Sequence, residues 1–177
     1  MNFIFIQIVG LIGLLFVIIS FQKNRKSFTL AVLVLAALFF TIHFILLKAW
    51  TGAAMNGLAA VRTYIFNLRD RKKYLNNRAT LYIFIFLFWI AGLFTWEGYV
   101  SLFPVTGMSL ECMSLWSKET KRMRWLFLSV TPLWLVYNSV VRSYAGVATE
   151  IFIMSSVVVA IIRFDLRRTS AKKTADP

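Results

Sequence analysis

Seven long apolar stretches constrain this chain more than any other feature of its sequence. Each approaches the roughly 20 residues that a helix needs to cross a hydrocarbon core about 30 Å thick. Of the 177 residues 59% are apolar and 15% are charged, a balance more apolar than soluble domains have. A chain of this length cannot bury that much apolar surface in its own interior, so we predict a polytopic membrane protein. The predicted spans are 3–21, 28–47, 52–68, 79–96, 99–116, 125–142 and 145–163.

The first stretch is interpreted as a retained span rather than a signal peptide. No basic residue precedes its apolar run, and no site of the Ala-x-Ala kind follows it. Two other stretches leave a six-span alternative open. The third is short and rich in glycine and alanine, and the fifth begins near Pro104, which the first turn of a helix tolerates.

The basic residues decide between six and seven spans. The chain has 20 Lys and Arg against 7 Asp and Glu, and seven alternating spans put all but Lys48, Arg62 and Arg142 on one side. Six spans would place the basic loops on both faces of the membrane. The positive-inside rule then predicts an external N-terminus and a cytoplasmic C-terminus in a bacterial inner membrane, and this placement argues against nucleic acid as the partner. The one-sided residues are Lys23, Arg25, Lys26, Arg69, Arg71, Lys72, Lys73, Arg78, Lys118, Lys121, Arg122, Arg124, Arg163, Arg167, Arg168, Lys172 and Lys173.

A shift of 94 residues brings the two halves of the chain into the same order of spans and loops. Gly13 then meets Gly107 and Arg69 meets Arg163. We therefore predict an all-α transmembrane protein, a seven-helix bundle of two parallel three-helix repeats joined by a linker helix, with the small-residue spans three and seven packed near the axis between the repeats. The predicted units are 1–72 for the first repeat, 73–98 for the linker helix, 99–168 for the second repeat and 169–177 for a disordered cytoplasmic tail.

Ionisable side chains inside a span are costly, roughly 2.5–3.5 kcal/mol each on insertion scales, so each needs a partner or a polar cavity. Arg62 lies in the third span, where it could hold an anionic group or reach inward to the interface. Glu111 lies at a similar depth in the fifth span, so the two could instead form a buried ion pair. Glu150 in the seventh span, at the repeat position of Asn56, could carry a proton, cap a helix or reach the outer water.

Further polar and aromatic residues lie in spans two and six. His43 is the single histidine; without partners it indicates a hydrogen-bonded interior group, with pH sensing as the alternative. Trp134, Asn138 and Arg142 follow at helical spacing beside Tyr137, where they could contact a small polar solute or hold two helices together. The candidate solute or proton site comprises His43, Asn56, Arg62, Trp134, Tyr137, Asn138 and Glu150.

The sequence carries no motif for a cofactor, a metal or an enzyme reaction. It has no glycine-rich phosphate loop, no His-Glu-x-x-His, and no serine or cysteine with a positioned base. Cys112 is the single cysteine, so it forms no intrachain disulfide and no cysteine-based zinc cluster. We therefore expect neither catalysis nor a bound cofactor.

An ordered set of short motifs runs through both halves: His43-Phe44 with Leu46-Leu47, Gly52-Ala53, Val61-Arg62-Thr63, Leu102-Phe103-Pro104-Val105 with Gly107, Trp134 with Val136 and Asn138, Glu150, and Ile162-Arg163-Phe164. In this order they resemble the YgjV-type bacterial inner-membrane protein family over nearly the whole chain. The resemblance implies a small inner-membrane protein, and four residues match its pattern: His43, Arg62, Asn138 and Glu150.

The chain also departs from that family pattern. Tyr137 stands where the pattern has histidine, Ala59 and Ala160 stand where it tends to have asparagine, and Glu111 has no acidic counterpart in it. The predicted three-one-three architecture is also similar to that of the SWEET, PQ-loop and nicotinamide-riboside transporter group, by architectural analogy alone.

Two functions compete on this evidence. The first is a small-solute transporter or facilitator with a site near the membrane midplane between the two repeats. The second is a non-transporting scaffold or accessory subunit that binds another protein or anionic lipid headgroups through its basic cytoplasmic face. The lipid bilayer is the expected surrounding in both cases. The sequence is compatible with a homo-oligomer and does not specify the solute.

Overall fold

The computed structural model describes residues 2–20, 22, 26–69 and 72–166. Within them the chain forms seven α-helices and no strand. The predicted tail 169–177 lies outside the described residues. The helices are α1 (Phe3–Ser20), α2 (Lys26–Leu46), α3 (Trp50–Leu68), α4 (Arg78–Phe94), α5 (Leu102–Trp116), α6 (Thr120–Val140) and α7 (Tyr144–Ile161), the last continued by a π-helical turn over Ile162–Leu166.

The all-α prediction with seven helices is confirmed, and each helix lies on one of the predicted apolar stretches. The largest shift is at the start of α6, which begins at Thr120 where the predicted span begins at 125, and the next largest is at the start of α5. The predicted span begins at 99, but Tyr99–Ser101 form a short 3-10 turn and the α-helix begins at Leu102. Pro104 then falls in the first turn, where its missing N–H costs no helical hydrogen bond.

The outer faces of the helices need lipid. By length and composition three helical segments suit a membrane span: Phe3–Ser20, Phe28–Leu46 and Tyr144–Leu166. Only 22–33% of their residues are buried inside the protein. Helix α4 is apolar but has 17 residues, whereas α3, α5 and α6 are shorter or carry more polar residues. The fold is therefore that of an all-α membrane protein.

Six of the helices form a closed ring. Consecutive helices pack along each other in α1–α2–α3 and again in α5–α6–α7. Helix α1 also packs against α7, and α3 packs against α5, which joins the first trio (α1–α3) to the second trio (α5–α7) at two seams. Helix α4 packs against α3 and α5. The ring thus has one trio on each side of its centre.

Two turns at the same end of the ring have the same backbone geometry. Lys48 after α2 and Arg142 after α6 are the two non-glycine residues with positive φ in the described chain, at 59° and 57°. The hydrogen bonds around them also correspond: Ala49 N donates to Phe44 O, and Ser143 N donates to Asn138 O, both at 2.9 Å. The two trios therefore reverse direction between their second and third helices in the same way.

The small-residue helices α3 and α7 were predicted to pack near the axis between the repeats. Both face the centre of the ring, but they do not belong to the helix pairs that pack extensively against each other. A cavity lies between them. Gly52 of α3 instead lets Phe44 of α2 and Tyr137 of α6 approach closely at one end, as described below.

Candidate solute cavity and its closed end

A cavity of about 760 Å³ lies at the centre of the ring. Its wall comes from both trios, mainly from α2, α3, α6 and α7, with Val17 contributed by α1 and Met108, Glu111 and Leu115 by α5. One end of the cavity reaches Ser117, next to the α5–α6 connection. We call that end, where the α1–α2, α3–α4 and α5–α6 connections lie, the basic end.

The opposite end carries the α2–α3, α4–α5 and α6–α7 connections, and we call it the closed end. The lining residues nearest to it are Phe44, Asn138 and Gly146. Beyond them the side chains of His43 and Ser143 are fully buried. The cavity therefore extends from the basic end into the ring and stops short of the closed end.

The structure brings five of the seven predicted site residues to the cavity wall: Asn56, Arg62, Trp134, Asn138 and Glu150. His43 and Tyr137 do not line it and lie in the closed end instead. Arg142 was predicted to extend the stripe of Trp134 and Asn138, and that prediction was wrong, because α6 ends at Val140 and Arg142 lies in the turn that follows.

The deepest part of the wall combines two amides, a carboxyl group and aromatic rings. Asn56 Nδ2 donates to Gly52 O within its own helix, at 3.0 Å. Asn138 is 2% exposed, and its Oδ1 has no hydrogen-bond partner in the described part of the chain. Glu150 is half-buried on the same wall and makes no ion pair or hydrogen bond with any described residue. This part of the cavity therefore holds unsatisfied polar groups.

Arg62 and Glu111 form an ion pair across the seam between α3 and α5. The Arg62 Nη2 lies 2.8 Å from Glu111 Oε1, and the arginine is 1% exposed. Its guanidinium group also lies 5.9 Å from the ring centre of Phe88 on α4. Through these two contacts Arg62 on α3 is joined to α5 and α4. Because Glu111 neutralises it, Arg62 presents little net charge to the cavity.

The wall near the basic end is also held by paired charges. Arg124 on α6 makes two hydrogen bonds to the carboxylate of Asp165 beyond α7, one of them from Nε to Oδ2 at 3.0 Å. The guanidinium group of Arg69 stacks on Trp116, 4.3 Å from the ring centre. Paired or stacked cations thus surround the mouth of the cavity.

Pro132 lies inside α6 in the cavity wall region and removes one backbone donor. The carbonyl that it leaves free is that of Leu128, and Thr131 Oγ1 donates to this oxygen at 3.3 Å. Thr131 lines the cavity and is 1% exposed. The hydroxyl therefore satisfies the helix at the place where the proline interrupts it.

The closed end joins α1, α2 and α7 through His43. Its Nδ1 lies 2.8 Å from Ile6 O, so this nitrogen donates, and its Nε2 lies 2.8 Å from Ser143 Oγ. Ser143 Oγ accepts from Gly146 N at 3.2 Å. A carbonyl of α1, an imidazole of α2 and the first turn of α7 therefore share one buried chain of hydrogen bonds.

Tyr137 makes the corresponding link from α6 to the first turn of α3. Gly52 N donates to Tyr137 Oη at 2.7 Å. A Cβ at Gly52 would lie 2.9 Å from atoms of both Phe44 and Tyr137, so only glycine permits this approach. The rings of Phe44 and Tyr137 are 5.9 Å apart, and α2 and α6 thereby meet over the inner limit of the cavity.

Glu97, which the sequence analysis did not single out, completes the closed end. Its two carboxylate oxygens accept from Trp50 N and Thr51 N, each at 3.0 Å. With Tyr137 they satisfy the first three amides of α3, where a negative charge also interacts favourably with the helix dipole. Gln7 caps a single amide of α7, because its Oε1 accepts from Ala145 N at 3.1 Å.

Two signals in the sequence point to these caps. Ser143 is a serine directly before the first residue of α7, the usual position of an N-cap. Glu97 is an acidic residue in the short connection between α4 and α5, at the end of the bundle where α3 and α7 begin and where helix N-termini favour a negative charge. Gln7 is an ordinary polar residue, and its role depends on which helix N-terminus the fold brings beside it. In the described residues no group of three or more His, Cys, Asp or Glu side chains is arranged to hold a metal ion.

Comparison with known proteins gives one match. A family model described as bacterial inner membrane protein, Imp-YgjV, matches residues 4–168. No curated protein and no solved structure matches the chain. The match extends from the second residue of α1 through the last helical turn, so it covers both trios and the helix between them. The chain therefore belongs to the YgjV family of bacterial inner membrane proteins.

Proposed function

We propose that this protein is a small-solute transporter or facilitator whose solute passes between the two helix trios. The observation that carries the proposal is the central cavity, which is lined from both trios and holds polar groups without protein partners at its inner limit. Ligand sites of about 300–1,000 Å³ with apolar walls and few polar groups are typical of small-molecule binding. The volume of about 760 Å³ suits a solute of that kind.

We infer further that the two trios are repeats related by an axis along the membrane normal. The matching turns at Lys48 and Arg142 support this. So do the two seams of the ring, since such an axis would exchange the α1–α7 seam with the α5–α3 seam. The links from His43 to the start of α7 and from Tyr137 to the start of α3 are exchanged in the same way. Transporters built on parallel repeats place their solute site between the repeats.

We also infer that all seven helices cross the membrane, with the basic end in the cytoplasm and the N-terminus outside. The positive-inside rule supports this orientation, because the lysines and arginines concentrate in the connections at the basic end. The described conformation then exposes the site toward the cytoplasm. Transport in either direction requires the closed end to open in a second conformation, with its hydrogen bonds exchanged for water.

An uptake screen with a matched pair of variants tests the proposal. The purified protein is reconstituted into liposomes, and uptake of labelled amino acids, sugars, nucleosides and amines is compared with that of empty liposomes. Ala160→Trp places an indole inside the cavity near its basic end, whereas Val159→Trp adds the same side chain at a neighbouring position that is 62% exposed on the outer face. We expect uptake that survives Val159→Trp and is lost in Ala160→Trp. Absence of uptake for every solute, or equal uptake by both variants, would refute transport through the cavity.

A further inference from the structure

We infer that the inner part of the cavity recognises small organic cations, with an ammonium group of the solute paired to Glu150 and its apolar part against Phe40, Phe44 and Trp134. This inference rests on the proposed function and names the class of solute. It is carried by the distribution of charge on the cavity wall and by the position of the aromatic rings.

In the part of the chain that the structure describes, the charged residues of the wall interact with other side chains at every position but one. Arg62 is paired with Glu111, and Arg124 is paired with Asp165. Arg69 stacks on Trp116 and has further interactions. Glu150 is the charged lining residue that has no ion-pair or hydrogen-bond partner in the described part of the chain. A carboxylate held away from bulk water is compensated by a cation, and a bound ammonium group supplies one.

The aromatic residues that line the same cavity as Glu150 suit the rest of such a solute. The rings of Phe44 and Trp134 lie 6.1 Å apart on the cavity wall, and Phe40 lies 6.3 Å from Phe44. Aromatic faces attract organic cations as well as apolar groups.

An anionic solute fits the same wall poorly. Arg62 and Arg124, two of the three arginines on the cavity wall, already have carboxylate partners, so an anion would have to displace Glu111 or Asp165 to bind them. The third, Arg69, lies at the basic end of the cavity and stacks on Trp116. An anion would also approach the unpaired carboxylate of Glu150. A neutral solute would leave that carboxylate uncompensated, unless Glu150 is protonated. Cationic, neutral and anionic solutes of one shape differ in charge alone, so binding of three probes of that shape distinguishes the three possibilities.

The experiment compares three such probes on the purified protein in detergent. Phenethylammonium, 2-phenylethanol and 3-phenylpropanoate share a phenyl ring and a short chain and differ in the charge of the end group. Their dissociation constants are measured by titration of the thermal unfolding temperature. The protein is compared with Glu150→Gln and with the control Glu119→Gln, which makes the same chemical change at an exposed residue of the basic end. Both variants are first shown to remain folded and monodisperse.

We expect phenethylammonium to bind at least tenfold more tightly than either other probe, a difference of about 1.4 kcal/mol. Glu150→Gln should weaken it by at least tenfold, and Glu119→Gln should leave it unchanged. Equal or tighter binding of the alcohol or the carboxylate, unchanged binding in Glu150→Gln, or no binding of any probe would overturn the inference. The transport proposal is judged separately by the uptake screen: uptake of neutral or anionic solutes that Ala160→Trp abolishes would leave it standing with another solute class.

Discussion

The two ends of the helix ring are stabilised by different interactions. At the closed end, neutral side chains and one carboxylate bind the first amides of α3 and α7, and helices of opposite trios touch through Phe44 and Tyr137. Toward the basic end the trios separate around the cavity, and ion pairs hold neighbouring helices together along its wall. The comparison shows where the structure leaves room for a solute and where a second conformation must break contacts.

The largest effect is expected at the ion pair of the cavity wall. Arg62→Met leaves the Glu111 carboxylate without its partner in a poorly hydrated place, and we expect a loss of about 3–5 kcal/mol in the free energy of unfolding. Arg62→Met combined with Glu111→Gln removes both charges and should recover most of that loss. The measurement is unfolding in mixed detergent micelles. An equal loss of unfolding free energy in the single and double variants would show that Arg62 does not stabilise the protein through its ion pair with Glu111.

The next effect concerns the hydrogen bonds of the closed end. Tyr137→Phe removes the acceptor of the buried Gly52 N–H, and we expect it to cost about 1–3 kcal/mol. Thr131→Val is the matched change on the cavity wall, where the lost hydroxyl bond is local to α6. It should cost clearly less. A larger loss of unfolding free energy for Thr131→Val than for Tyr137→Phe in the same assay would contradict the claim that hydrogen bonds at the closed end contribute more than those on the cavity wall.

A pair of glycines sharpens the comparison further. A Cβ at Gly146 would lie 2.5 Å from Asn138 Oδ1 and from Ser143 Oγ, so Gly146→Ala should destabilise the closed end by about 1–3 kcal/mol. At Gly57 on α3 the nearest atoms are those of Thr41 at 3.8 Å. Gly57→Ala should therefore stabilise its helix by about 0.5–1 kcal/mol. Unfolding temperatures that move in the same direction for both variants would contradict this assignment of tight and loose regions.

The positions of the helices were predictable because lipid imposes a simple rule on length and apolarity. That rule places α1, α2 and α7 within a few residues of the observed helices. It also gave the depth of Arg62 and Glu111, and two charges at one depth in neighbouring helices have a strong reason to meet. Depth in the membrane is thus the quantity that the sequence carries best.

Rotation of each helix about its own axis was much harder to predict. Adjacent residues differ by about 100° around a helix, so Asn138 can face the cavity while Tyr137 next to it faces α3. The sequence analysis grouped Asn138, Tyr137 and His43 as site residues because all three lie inside predicted spans. The caps by Glu97 and Gln7 depend on which helices become neighbours, and that information is not local to either residue.

Cysteine accessibility tests the central claim most directly, that a cavity enters the protein from the basic end only. In a Cys112→Ala background, Ser156→Cys places a thiol on the cavity wall and Ser155→Cys places one on the exposed outer face of the same helix. A membrane-impermeant maleimide is added to sealed vesicles of each orientation. We predict that Ser156→Cys reacts only from the side of the basic end and that Ser155→Cys, surrounded by lipid, reacts from neither. Equal labelling of the two thiols, or labelling of Ser156→Cys only from the opposite side, would contradict the account.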